Sequence, residues 1–251
     1  MIRTIRSEWI KLRTVRMNLV LFMLAVAFPV IVCVLVASLG DINNLKVTDV
    51  SGLVAGSSVV TALLLGVVGA VSISAEFAYG TIRPTFAATP RRSRVLVAKG
   101  IVIAVFALVA EAVVVVVCYA LSSAIATSRG ASFSLNDDTE ARSALIGIVV
   151  FAVIVSLLGF GLGMVIRNTP AAVAILILWP LVVENIIFAI LSAAGVDRPQ
   201  RFLPYTSGFN LATSDLSAHE GLGRIAGGVY FGVVTAAVAA LGAVITSRRD
   251  A

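Results

Sequence analysis

The sequence predicts an all-α membrane protein with six transmembrane helices. An amphipathic interfacial helix precedes them, and both termini lie on the cytoplasmic side. Three observations predict this. The 251-residue chain is 59% hydrophobic and only 13% charged, with a mean hydropathy of +1.06, an apolar excess beyond what a soluble core needs. Its apolar residues fall into six runs near the ~20-residue length that crosses a bilayer. Those runs are rich in Val, Ala, Leu and Ile without period-2 alternation, which points to helices and not to barrel strands.

The chain starts with MIRTIRSEWIKLRTVR. Ile2, Ile5, Trp9 and Leu12 fall on one side of a helical wheel and Arg3, Arg6 and Arg13 flank them. Trp suits the headgroup region, and basic residues suit anionic lipid. Glu8 and Lys11 belong to the same turns, and Arg16 falls on the apolar side of the wheel. The six spans follow near 18–39, 53–75, 101–124, 143–166, 171–194 and 225–246. The first is too long for a secretory signal and lacks a small-residue cleavage site, so it is read as retained. Pro29 predicts a kink within it. Together the spans make a single transmembrane domain over residues 1–251.

The connections carry the charge. With the N-terminus inside, thirteen of the nineteen Lys and Arg fall on inner segments, against three acids, Glu8, Glu76 and Asp250. That bias sets the orientation. The connection between spans two and three is the most ordered of these segments. Glu76 to Gly80 reads as a helix stop, Thr81 can cap a new helix, and Pro84 is tolerated in a first turn. Ile82 and Phe86 then share a face, and Pro90 and three arginines close the element. The 195–224 connection holds Phe202, Leu203, Tyr205, Phe209 and Leu211, which suggests short helices at the outer interface.

The chemistry is sparse. No phosphate-binding G-x-x-x-x-G-K-[ST] loop occurs. With one histidine, His219, and cysteines only at 33 and 118, no metal site is expected. No aromatic-interleaved basic patch argues for nucleic acid. Two acids lie within spans, Glu111 and Glu184. An acid at that depth needs a cavity or a polar partner. Each is read either as a substrate or proton site, or as a hydrogen-bonded acid that locks helices. Pro180, four residues before Glu184 and beside Asn185, predicts a kink and a polar pocket there. Gly52/Gly56, Gly159/Gly163 and Gly228/Gly232 have the spacing of close helix crossings.

Three segments carry a family resemblance. SEWIKLRTVR (Ser7–Arg16), EFAYGTIRPTFAATPRRSR (Glu76–Arg94) and RFLPYTSG (Arg201–Gly208), in this order within six spans, resemble the permease subunits of type-2 ABC exporters, the group related to ABCG transporters. The resemblance implies that the second connection is a coupling helix, with Glu76, Gly80, Thr81, Ile82, Arg83 and Phe86 meeting a separate ATP-binding subunit. Ile5, Glu8, Trp9, Lys11 and Leu12 would lie beside it. It further implies two ATP-binding subunits holding ATP and Mg, and a second permease chain in a homodimer or heterodimer. The chain itself would have no catalytic residue and no cofactor of its own. The pathway would be lined mainly by spans two and five, which makes Glu184 and Asn185, with Glu111, its candidates. The substrate would be hydrophobic or amphiphilic, such as a drug, an antibiotic or a lipid. The setting would be a bacterial cytoplasmic membrane, in keeping with sixteen Arg to three Lys. A secondary transporter or channel using Glu111 and Glu184 is the alternative. It would often show internal repeat symmetry, and none is evident here.

Overall fold

A backbone in hydrocarbon must satisfy its own N–H and C=O groups, and the long apolar runs do so as helices. The computed structural model of the chain describes residues 2–40, 47–82, 92–130, 138–213 and 221–249. About 90% is helical, with no strand among the described residues. The elements in order are α1 (Ile2–Thr14), α2 (Arg16–Leu39), α3 (Val47–Ala78), α4 (Arg92–Ser128) and α5 (Thr139–Ile166). Next come α6 (Thr169–Leu178), a π turn (Trp179–Val183) and α7 (Glu184–Ala193), which make one continuous span. A short helix, α8 (Pro204–Phe209), sits between two 3-10 turns, Pro199–Phe202 and Asn210–Ala212, and α9 (Arg224–Arg249) ends the chain.

Six helices are long and apolar enough to cross a membrane, and each overlaps one of the expected runs, the fifth ending one residue short at Ala193. The chain turns at Val15, whose backbone is extended (φ −74°, ψ 115°). This break separates α1 from α2, so Arg16 starts a new helix and leaves the apolar stripe of the first. α3 and α4 overrun their apolar limits toward the connection between them. The polar residues of those extra turns, Glu76 and Lys99, are paired with other side chains and so do not stop the helix. Asp138 and Asn168 cap α5 and α6, accepting from the N–H groups of Ala141 and Ala171. Pro180 is absorbed in the π turn, which takes up the lost backbone bond.

α3 and α5 form the centre. In α3, 72% of the most apolar stretch is buried, against 17% in α2 and 11% in the fifth span. The α3–α5 crossing is a backbone contact. A Cβ on Gly159 would stand 2.0 Å from the Gly66 carbonyl oxygen, and one on Gly69 would stand 2.2 Å from that of Ser156. In lipid, where apolar burial between helices gains little, such close packing and small polar groups hold helices together. Thr61 Oγ1 donates to the Ala25 carbonyl at 2.6 Å, and the Ser74 and Thr169 hydroxyls are 2.8 Å apart. Of the three expected small-residue pairs, Gly159/Gly163 lies at this tight crossing. Gly56 and Gly232 have open space around them. Cys33 and Cys118 are both free and buried in the core.

Substituting Gly159→Val forces α3 and α5 apart and is expected to lower stability by about 1–3 kcal/mol. Gly232→Ala, with nothing within 4 Å, is expected to leave the thermal midpoint of the purified protein unchanged.

Candidate functional site

Two polar centres organise the chain, one at each end of the bundle. The first lies where α1 meets the ends of α3 and α4. The apolar stripe of α1 packs inward: Leu12 is buried with Val68 of α3 and Val102 of α4, and Ile5 and Trp9 lie against them. The Trp9 ring meets Phe106 edge-on at 6.3 Å. This docking carries Glu8, one turn before Leu12, to 3% exposure.

Glu8 is not alone there. Lys99 Nζ donates to Glu8 Oε2, to Glu76 Oε1 at 3.0 Å and to the Ser72 carbonyl at 3.3 Å, which uses all three of its hydrogens. Lys11 Nζ donates to Glu8 Oε1 at 2.8 Å and to Glu76 Oε1 at 3.0 Å. Two carboxylates and two ammoniums thus form a closed ring that ties α1 to the last turn of α3 and the second turn of α4. Lys99 has only 4% of its side chain exposed, whereas Lys11 has 45%. Burial alone would push the Glu8 carboxyl up. The charge of Lys99 and the hydrogen bonds from both lysines outweigh it and hold the pKa below the ordinary 4.5. Burial likewise works against the Lys11 ammonium, yet its bonds to Glu8 and Glu76 hold it above the ordinary 10.5.

The ring brackets the connection expected to couple. α3 ends at Ala78, and Gly80 takes the left-handed conformation (φ +69°), as a helix stop requires. Tyr79 and Thr81 are exposed, but Ile82 is 4% exposed and packs with Ile73, Val95, Leu96 and Phe160. Ile82 therefore does not present the open apolar face expected of it. The early start of α4 brings Val95 and Leu96 over it. Arg83 and Phe86 lie outside the described residues.

The second centre is at the far end. Glu184, 1% exposed at the start of α7, accepts four hydrogen bonds. They come from Tyr205 N (2.7 Å), Thr206 N (2.8 Å), Thr206 Oγ1 (2.7 Å) and Trp179 Nε1 (3.2 Å). The backbone donors are the first free N–H groups of α8, an arrangement that favours an anion. The polar pocket expected beside Pro180 is thus filled by the chain itself. Nor do the short helices of the 195–224 connection simply lie at an interface. Tyr205 packs against Phe151 and Phe231 with ring centroids 5.0 and 5.7 Å away, and Phe151 also meets Phe209 at 5.8 Å. Gly147 and Gly227 let the backbone of Leu211 and Ser207 approach where a Cβ would clash at 1.7 and 2.1 Å.

Asn185 is exposed and donates to the Pro180 and Leu181 carbonyls of its own span. Glu111 is fully buried in α4, and neither of its oxygens has a hydrogen-bond partner among the described residues. The structure does not bring Glu111, Glu184 and Asn185 together with the ring. Lys99 is the residue that sequence reasoning missed. The available signal was two acids, Glu8 and Glu76, on a face otherwise kept basic. No group of three or more His, Cys, Asp or Glu suited to a metal occurs among the described residues.

A family model described as ABC-2 family transporter protein matches residues 4–194. The chain belongs to that family, and is therefore a multi-pass permease of an ABC transporter. Its members associate with an ATP-binding subunit and are normally non-catalytic themselves. No curated protein matches the chain.

Removing one partner of a buried ion pair leaves an uncompensated charge and costs roughly 3–5 kcal/mol. Lys99→Met is expected to destabilise the chain by that order, and Lys11→Met, at an exposed position, by no more than about 1 kcal/mol. Chemical or thermal unfolding of the two variants in matched detergent checks the order. The lowered Glu8 pKa contributes stability present above 4.5 and lost as pH falls through its folded value. The raised Lys11 pKa contributes stability present below 10.5 and lost as pH rises through its folded value. Trp9 fluorescence in a Trp179→Phe background is expected to report α1 docked between these limits and released beyond both.

Proposed function

We propose that this member of the ABC-2 family forms half of the membrane pathway of an ABC exporter for a hydrophobic or amphiphilic substrate. A second permease chain completes the pathway, and two ATP-binding subunits holding ATP and Mg drive it. The segment around Arg83 and Phe86 docks on the ATP-binding subunit. The assembly sits in a bacterial cytoplasmic membrane with both termini cytoplasmic, the orientation favoured by the basic bias of the α1 side.

The observation that carries this reading is the ring of Glu8, Lys11, Glu76 and Lys99. It grips the chain on both sides of the docking segment and joins it to α1. A push on that segment therefore moves α1, the end of α3 and the start of α4 as one body, a rigid-body device for switching between two packings. The sparse burial of the fifth span supports a second chain beside it. Asn185, exposed on that span, is the residue we assign to the pathway. Glu184 is buried beneath four donors, and we assign it to holding helices in place.

Co-purification tests the docking segment. The tagged chain is expected to bring down the ATP-binding subunit, and Phe86→Asp is expected to abolish this while the permease still folds. Retained association and unchanged stimulation of ATP hydrolysis in Phe86→Asp would remove the docking role.

A further inference from the structure

The turn between α5 and α6 is made by an arginine. α5 ends at Ile166 and Asn168 caps α6, so the chain turns at Arg167, which takes the left-handed conformation (φ 56°, ψ 15°). A side chain crowds the backbone in that conformation, and a helix stop of this kind usually carries glycine. The chain follows that rule at three other helix ends. Gly80 after α3, Gly130 after α4 and Gly195 after α7 have φ of +69°, +98° and +74°. An arginine in the same role points to a use for its side chain.

That side chain spans two further elements. Its guanidinium carbon lies 4.6 Å from the centroid of the Phe77 ring in the last turn of α3, a cation–π contact. Its Nη2 donates to the Ile245 carbonyl of α9 at 3.4 Å. One turn before Phe77, the Ser74 hydroxyl meets that of Thr169, the first residue of α6, at 2.8 Å. The end of α3 therefore holds both sides of the α5–α6 turn. Phe77 also packs against the apolar cluster that contains Ile82, together with Phe160 and Met164 of α5. Its neighbour Glu76 belongs to the charge ring, which itself has no member in α5, α6 or α9.

Given the docking role proposed for the segment around Arg83 and Phe86, we propose that Arg167 is the positioning residue that passes movement of that segment to the fifth span. A push on the segment displaces Ile82 and, through the shared cluster, Phe77. The Arg167 guanidinium, seated on that ring and anchored on α9, turns the displacement into a shift of the α5–α6 turn. α6 starts at this turn, and Asn185 lies on the same span. Glycine at the pivot would relax the turn and break the link.

The test reads movement at Asn185 in the assembled transporter. Asn185→Cys is the reporter and a water-soluble maleimide is the probe, the native Cys33 and Cys118 being buried. The labelling rate is compared with and without a non-hydrolysable ATP analogue and Mg. It is expected to change by about fivefold or more, the low end of an ordinary coupling between two sites. Arg167→Asn introduces a residue that takes the left-handed turn readily but is too short to reach Phe77 or Ile245. It is expected to bring down the ATP-binding subunit as the parent chain does and to abolish the labelling change. Phe77→Leu, which keeps apolar bulk against the Ile82 cluster, is expected to reduce the change. Arg167→Lys keeps a cation that can stand over the ring and is expected to retain part of it. A labelling change kept in full by either Arg167→Asn or Phe77→Leu overturns the proposal, as does the absence of any change in the parent. Loss of the ATP-binding subunit from Arg167→Asn also overturns it, since Arg167 would then serve docking or folding. If the parent itself does not bring down that subunit, the docking role fails, and this one with it.

Discussion

Everything at the α1 end of the molecule depends on the enclosure of one ammonium. Lys99 is placed by α4 where water scarcely reaches it, and an unpaired charge there would not be tolerated. It requires Glu76 from α3, which its own hairpin supplies, and Glu8 from a helix more than ninety residues earlier. The ring is therefore a constraint on topology as much as a contact. It fixes the height of α1 against the spans, sets the rotation of α3 against α4, and lets both helices extend beyond their apolar lengths. The apolar stripe of Ile5, Trp9 and Leu12 provides the packing, and the charges provide the register. A stripe alone would let α1 slide.

At the other end the same logic appears with the signs reversed. Glu184 is a buried acceptor, and three of its four donors come from a short helix 21 and 22 residues further on. Pro204 opens α8 at a position where a missing N–H costs nothing, and Tyr205 and Thr206 then present theirs. The aromatic cluster around Phe151 seats this helix, and glycines in α5 and α9 make room for it. One end of the bundle is thus closed by a capped plug. The other is clamped by a ring beside a connection we propose to be driven. The ring contains an exposed lysine and borders a cleft, while Glu184 in the plug is 1% exposed.

The spans were legible in the sequence because length and apolarity suffice for them, and Val15 was the only junction whose break the helical wheel hinted at, through the misplaced Arg16. The stop at Glu76–Gly80 was legible for a local reason, since only glycine adopts that turn freely. Lys99 was not, because a lysine nine residues after Pro90 reads as one more charge in a basic loop. Its burial follows from α4 starting at Arg92 and from α1 folding back over it, and neither is a local property. Ile82 was misread for the same cause: its partners Val95 and Leu96 come from that early helix start. Glu184 was legible as an acid needing a partner, but the partner is a set of backbone N–H groups in a distant loop, which no side-chain pattern announces. Of the three segments that carry the resemblance, Ser7–Arg16 and the start of Glu76–Arg94 meet through the Lys11–Glu76 pair.

We propose that Glu8 and Lys99 act as one unit in transmitting motion from the ATP-binding subunit. A double-mutant cycle on the assembled transporter measures this, with Glu8→Gln, Lys99→Met and the pair compared by the permease-dependent rate of ATP hydrolysis. Strong non-additivity is expected, with the pair no more impaired than the worse single variant, because both remove the same connection. Losses that simply multiply, as for two independent sites, would contradict it.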